Sequence, residues 1–134
     1  MDRLFLDANI LFSAAYRASN GLLVLWKLSA AMLCTSRYAL EEARINLEDE
    51  TPRRRLTKLS ESLQLFEAAD RLLPNGISLP EKDMPILLAA IEARADYLLT
   101  GDVRHFGAYF GKRVEGITIL LPGQYLKLRL AEAR

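Results

Sequence analysis

Cysteine, histidine and tryptophan each occur once in the 134 residues, and formal charge nearly cancels at +1. A lone Cys34 in an apolar context excludes an internal disulfide and reads as a small core residue of a reducing compartment. No basic or histidine neighbour in sequence marks it as reactive. The absence of net charge removes any global attraction to a polyanion, so a site for one must come from a local cluster. The longest apolar run, Leu22 to Cys34, contains Lys27 and falls short of the ~20 residues that span a bilayer. Asp2 and Asp7 interrupt the start, where a secretory signal would be apolar, and a cytoplasmic protein away from membranes is expected. Repeats, low-complexity tracts and linkers are missing as well. What remains is an ordinary globular balance, 51% apolar and 26% charged, sized for one domain over residues 1–134 with one sizeable core.

The informative stretch is Arg3-Leu4-Phe5-Leu6-Asp7-Ala8-Asn9-Ile10-Leu11. Its apolar residues read as a strand buried on both faces, and the run ends on a carboxylate before a helix-compatible segment. In open α/β sheets chemistry collects at the carboxyl ends of the strands, and Asp7 is at such an end. Further on, helices are expected over 8–17, 22–31, 37–48, from Pro52 through a stripe of Leu56, Leu59, Leu63 and Phe66, over 84–94, around 103–109, and from Pro122 to about Ala131. Strands are expected at 32–35, 77–79, 97–99 and 116–120. The alternation implies an α/β fold, three-layer α/β/α, with a central and mainly parallel sheet of four to five strands.

That architecture brings acids together. A helix runs antiparallel to its neighbouring strand, so helix starts and strand ends share one sheet edge. From Asp83 a helix of about eleven residues travels roughly 16 Å, and the strand ending at Thr100 returns a similar distance at ~3.3 Å per residue. Asp102 should therefore return to the level of Asp83, and Asp7 and Glu42 lie at the same edge. Clustered carboxylates repel and raise one another's pKa values. A hard divalent cation, Mg²⁺ or Mn²⁺, removes that conflict, and a cluster without His or Cys argues against zinc. Water activated by such an ion, attacking a phosphodiester, is the chemistry the cluster suits. Each acid also has a plainer reading: Asp7, Asp83 and Asp102 all precede helices and could be simple N-caps.

The ordered segments resemble the PIN-domain nucleases, in particular the toxin-like branch related to VapC ribonucleases. The resemblance is carried by Leu6-Asp7-Ala8-Asn9, by Thr35-Ser36 with Glu42 six residues beyond the serine, and by Asp83 followed by 87–90. It continues through 95–102, ending in Thr100-Gly101-Asp102, and through Ile119-Leu120-Leu121-Pro122, and so covers nearly the whole chain. It implies that Asp7, Glu42, Asp83 and Asp102 bind one or two Mg²⁺ or Mn²⁺ ions that support RNA cleavage. It also implies that Asn9 and Thr100 assist as polar neighbours, that Ser36 helps to orient the site, and that a protein antitoxin binds near the cleft. Glu41 competes with Glu42 as the second acid, and Glu81 is a weaker rival of Asp83; Asp96, at the opposite edge, should be structural.

Basic residues are candidates for contact with the RNA backbone. Arg104 and His105 follow Asp102 directly. Arg53 and Arg54 belong to a run with Arg55 and Lys58, although a charge run at a helix start is more often a solvated face, and this one opposes the dipole of its own helix. For His105 a surface polar role is weighed above proton transfer. Trp26, Tyr38, Tyr109 and Tyr125 read as packing rather than base stacking, and apolar residues on the early helices could support a homodimer. Two other functions compete. A binding module would gain nothing from a negative pocket facing a polyanion, and a phosphatase using Asp7 as nucleophile would show a second Asp where Asn9 stands.

Overall fold

A computed structural model describes residues 1–132. Strand β1 (Asp2–Leu6) forms the middle of a six-stranded sheet, and its Leu4, Phe5 and Leu6 are fully buried. It pairs in parallel with β2 (Ala31–Thr35) on one side and β4 (Tyr97–Leu99) on the other. Beyond β2 lies β3 (Gln64–Leu65); beyond β4 lie β6 (Ile117–Leu120) and then β5 (Arg113–Val114), the only antiparallel member among the described strands. The helices that flank the sheet are α1 (Ala8–Tyr16), α2 (Arg37–Asn46), α3 (Glu50–Ser60), α4 (Met84–Glu92), α5 (Val103–Phe106) and α6 (Pro122–Glu132). This is the mainly parallel α/β/α arrangement that the alternation implied.

The strand order 3-2-1-4-6-5 positions the site. From β1 the chain steps outward to β2 and β3, then returns across the molecule to β4 on the other side of β1. At such a reversal the loops leaving neighbouring strands diverge and open a crevice at their carboxyl ends. Helix α4 is the core element beneath this return: residues 86–90 are all buried, and Pro85 is tolerated in the first turn because no intrahelical donor is lost there. Cys34 is buried as expected, and its surroundings push the thiol up to about 12.

Several expected elements differ. Residues 21–27 form a 3₁₀ helix, capped by Asn20, in place of an α-helix over 22–31; only Leu25 is fully buried, too narrow an apolar face to hold a longer helix against the core. Helix α3 begins two residues before Pro52 and stops at Ser60. Leu63 and Phe66 are therefore not on its stripe, because the open edge of β2 captures the chain: Cys34 and Thr35 pair with Gln64 and Leu65, and Phe66 N–H donates to the Thr35 carbonyl at 2.9 Å. Residues 77–79 form no strand. The N–H and carbonyl of Ser78 are both satisfied by the Tyr109 hydroxyl, at 2.8 and 3.0 Å. The hairpin of β5 and β6 turns on Glu115 and Gly116, both at positive φ (46° and 86°), the geometry of a tight primed turn. Two strands of two residues each thus raise the count from four or five to six. No described helix is long and apolar enough to cross a membrane.

Candidate active site

Asp7 is locked at the end of β1 from both sides of the chain. Its N–H donates to the Leu99 carbonyl at 3.1 Å, which ties it to β4, and its carboxylate accepts from Ala8 N–H at 2.6 Å at the start of α1. The same carboxylate accepts the Thr100 hydroxyl at 2.7 Å and Asn9 Nδ2 at 3.1 Å. Asn9 Oδ1 in turn accepts from Gly101 N–H at 2.7 Å, and Thr100 Oγ1 accepts from Asp102 N–H at 3.1 Å. Asn9 and Thr100 therefore knit the ends of β1 and β4 into one polar strip. A Cβ at Gly101 would lie 3.3 Å from Asn9 Oδ1, a tight contact that would press on the Asn9 side chain. Asp7 is only 3% exposed. Burial raises its carboxyl to about 6, with a smaller push from Asp83, and the hydrogen bonds offset only part of that rise.

Asp83 closes a 3₁₀ turn (Glu81–Asp83) just before α4 and is 6% exposed. Its Oδ2 is buried without a hydrogen bond, a costly state for a carboxylate oxygen. Burial raises its pKa and Asp102 adds to the rise, while the charges of Lys82 and His105 oppose it. Asp102 follows β4 and caps α5, its Oδ1 accepting from His105 N–H at 3.0 Å. Its Oδ2 lies 2.7 Å from His105 Nδ1, which is also 3.0 Å from Asp83 Oδ2 without hydrogen-bond alignment. Glu42 projects from α2. Asp7, Glu42, Asp83 and Asp102 all line one cavity of about 400 Å³, together with Asn9 and Lys82. Tyr38 stands close by and donates to the Lys82 carbonyl at 2.7 Å; burial, then the charges of Glu42, Asp83 and Asp7, raise its phenol.

Other expected residues lie elsewhere. Glu41 turns away from the cavity and chelates Arg44 at 2.6 and 2.9 Å, so Glu42 is the glutamate at the cavity wall. Glu81 is exposed and does not line the cavity. Ser36 is buried and accepts from Ala39 N–H at 3.1 Å, which fixes the start of α2 and so the direction from which Glu42 arrives. Asp96 is at the far edge as expected, accepting from Arg3 N–H at 2.8 Å. Arg104 is exposed beside Asp102, outside the cavity wall.

The arginine run corrects two expectations. Arg53 does not face the cavity: its Nε donates to the Arg44 and Leu47 carbonyls at 3.1 and 2.5 Å, closing the carboxyl end of α2. Arg55 does the same for α1 through the Ala15 and Tyr16 carbonyls, both at 2.8 Å. Arg54 is exposed and pairs with Glu50 at 2.9 Å. The run does oppose the dipole of its own helix, yet two of its members satisfy the terminal carbonyls of two other helices, where cations are favoured. His105 is corrected too, from a surface polar group to one turned inward between two acids, and the argument against zinc from a missing histidine lapses with it. The signal was present in sequence: Asp102 as N-cap accepts from the N–H three residues on, which brings the His105 side chain beside the same carboxylate. Lys82, the cation in the cavity wall, left no such pattern.

The donor set fits a divalent cation. Four carboxylates share one cavity, one buried oxygen has no donor, and burial raises the Asp7 carboxyl to about 6, all of which an oxygen-seeking cation would relieve. Comparison with known proteins gives the family and the fold. A family model described as "PIN domain" matches residues 3–104. A chain of the crystal structure of VapBC2 from Rickettsia felis, bound to a DNA fragment from their promoter, superposes with a TM-score of 0.64 at 16% identity, covering 87% of this chain and 96% of that one. No curated protein sequence matches the chain.

Proposed function

The chain belongs to the PIN domain family, and from that membership we propose that it is a divalent-metal-dependent endoribonuclease, with residues 1–134 acting as a single nuclease domain. The observation carrying this reading is the convergence of Asp7, Glu42, Asp83 and Asp102 from four segments on one cavity, with Asp83 Oδ2 buried and lacking a hydrogen bond. Mg²⁺ or Mn²⁺, when bound, supplies a lowered pKa for attacking water and neutralises charge on the phosphoryl group. The four acids would hold it. Asn9 and Thr100 fix the carboxylate of Asp7 in one orientation through bonds of 3.1 and 2.7 Å. Lys82 on the cavity wall would offer positive charge to a phosphate oxygen, and exposed Arg104 near Asp102 would extend it along an RNA backbone. Asn9 donates to Asp7 where a phosphatase would need a second acid, which disfavours a phosphoryl-enzyme route.

We further read the protein as the toxin of a type II toxin–antitoxin pair acting in the cytoplasm. The resemblance of its motifs to VapC ribonucleases supports this, as does the fold shared with a chain of the VapBC2 structure. A protein antitoxin would close the acidic cavity, and the exposed Tyr16 and Val24 offer apolar surface for a homodimer. The test is incubation of the purified protein with a mixed pool of structured RNAs in Mn²⁺, in Mg²⁺ and in EDTA. Cleavage that needs the metal and vanishes in Asp7→Asn is expected. Cleavage that survives in that variant would overturn the site, and no cleavage in any condition would overturn the enzymatic reading in favour of a binding module.

A further inference from the structure

We infer that His105 is itself a ligand of the cation site, which makes the donor set mixed nitrogen and oxygen and tunes it toward first-row transition ions, Mn²⁺ among them, over Mg²⁺. The inference rests on the reading of the cavity as a cation site and adds the residue that sets its selectivity.

Three atoms carry it. His105 Nδ1 stands 2.7 Å from Asp102 Oδ2 and 3.0 Å from Asp83 Oδ2, and the three donors form a group that could hold one ion. In an octahedral shell with ligands at ~2.0–2.2 Å, neighbouring donors are about 3 Å apart, the spacing found here. The second observation is the state of one of these atoms: Asp83 lines the cavity, and its Oδ2 is buried and receives no hydrogen bond even with an imidazole nitrogen at 3.0 Å. A histidine that merely supported Asp102 from behind would have no reason to face the unpartnered oxygen of a different acid.

Asp102 fixes the ring. Its Oδ1 accepts from His105 N–H and its Oδ2 lies 2.7 Å from His105 Nδ1, so the nitrogen is held beside the same carboxylate. A carboxylate oxygen keeps a further lone pair for a cation, and an imidazole with its hydrogen on Nε2 offers Nδ1 as a second donor beside it. Mg²⁺ favours oxygen ligands and binds imidazole poorly, whereas the later divalent ions accept it with rising affinity. One nitrogen in the shell therefore discriminates where four carboxylates would not.

The test uses the whole protein with Mn²⁺ alone. His105 is the only histidine, so pulsed electron paramagnetic resonance of the bound ion assigns any imidazole coupling directly. The expected result is a ¹⁴N coupling that becomes a ¹⁵N coupling in protein made with ¹⁵N-histidine, with no variant needed. Competition binding of Mn²⁺ against Mg²⁺ should show the Mn²⁺ preference falling by about tenfold or more in His105→Gln. Bound Mn²⁺ without nitrogen coupling, or an unchanged preference in the variant, overturns the inference and leaves His105 as a hydrogen-bond support for Asp102. No Mn²⁺ binding at millimolar concentration overturns instead the reading of the cavity as a cation site.

Discussion

Asp7→Asn should stabilise the metal-free protein near neutral pH while removing its activity, and the sign of the stability change should reverse in acid. The carboxyl is raised from 3.8 to about 6, chiefly by burial. Between those values the unfolded chain has released a proton that the fold retains. Stability therefore falls by about 1.4 kcal/mol per pH unit across that window, and the loss is complete above about 6, at roughly 3 kcal/mol. Asparagine escapes this loss because it carries no charge. It also forfeits something: the carboxylate accepts from Ala8, Thr100 and Asn9, and an amide NH₂ cannot accept from donors. One or two lost bonds at about 1 kcal/mol each leave a net gain of about 1–2 kcal/mol at pH 7.5, or roughly 4–8 °C in melting temperature. At pH 4 the wild-type carboxyl is largely protonated in the fold, only the lost bonds remain, and the variant should be the less stable. Thermal melts in EDTA at both pH values decide it. Saturating Mn²⁺ should then raise the wild-type melting temperature and leave the variant nearly unmoved, since ligand binding to the folded state is what stabilises. A variant less stable at pH 7.5 without metal would refute the argument and make Asp7 chiefly a helix cap.

Two further pairs of substitutions separate position from charge. Glu42→Gln should lower RNA cleavage by roughly 10–100-fold, whereas Glu41→Gln, one residue away and paired with Arg44 outside the cavity, should leave it near wild type; equal losses would undo the distinction. Arg55→Ala should cost about 1–2 kcal/mol in urea unfolding by freeing the Ala15 and Tyr16 carbonyls, while Arg54→Ala, which removes an exposed pair with Glu50, should stay within about 0.5 kcal/mol.

The site was more legible than the fold around it, for a physical reason. Strands β1 and β4 are continuous apolar runs because both faces are covered, and each ends on a polar residue where the sheet ends. That pattern needs no knowledge of tertiary contacts, so Asp7, Thr100 and Asp102 could be placed by counting. Glu41 and Glu42 could not be separated in this way, because adjacent helical positions differ by about 100° and only the packing of α2 decides which faces inward. Strand β3 was hidden for the opposite reason: Gln64 and Leu65 are both exposed, and they pair because the edge of β2 offers partners. The arginine run was misread because its bonds reach the ends of α1 and α2, six to forty residues back along the chain. Local sequence shows where a charge starts, not which helix end it reaches.

The strand order also fixes when the cavity can come into being. Asp7 and Glu42 lie on the segments flanking β1 and β2, and Asp83 and Asp102 belong to the return through α4 and β4, beyond the irregular stretch of residues 67–80. A chain growing from a ribosome gains Asp7 and Glu42 first and Asp83 later, and it lacks the full set of acids until Asp102 has been made. The central strand waits with one edge bare until β4 arrives to occupy it, and that pairing also brings Thr100 to Asp7. Pairing of β4 with β1 and completion of the acid set are thus closely coupled, so a partly synthesised molecule has no finished acid cluster.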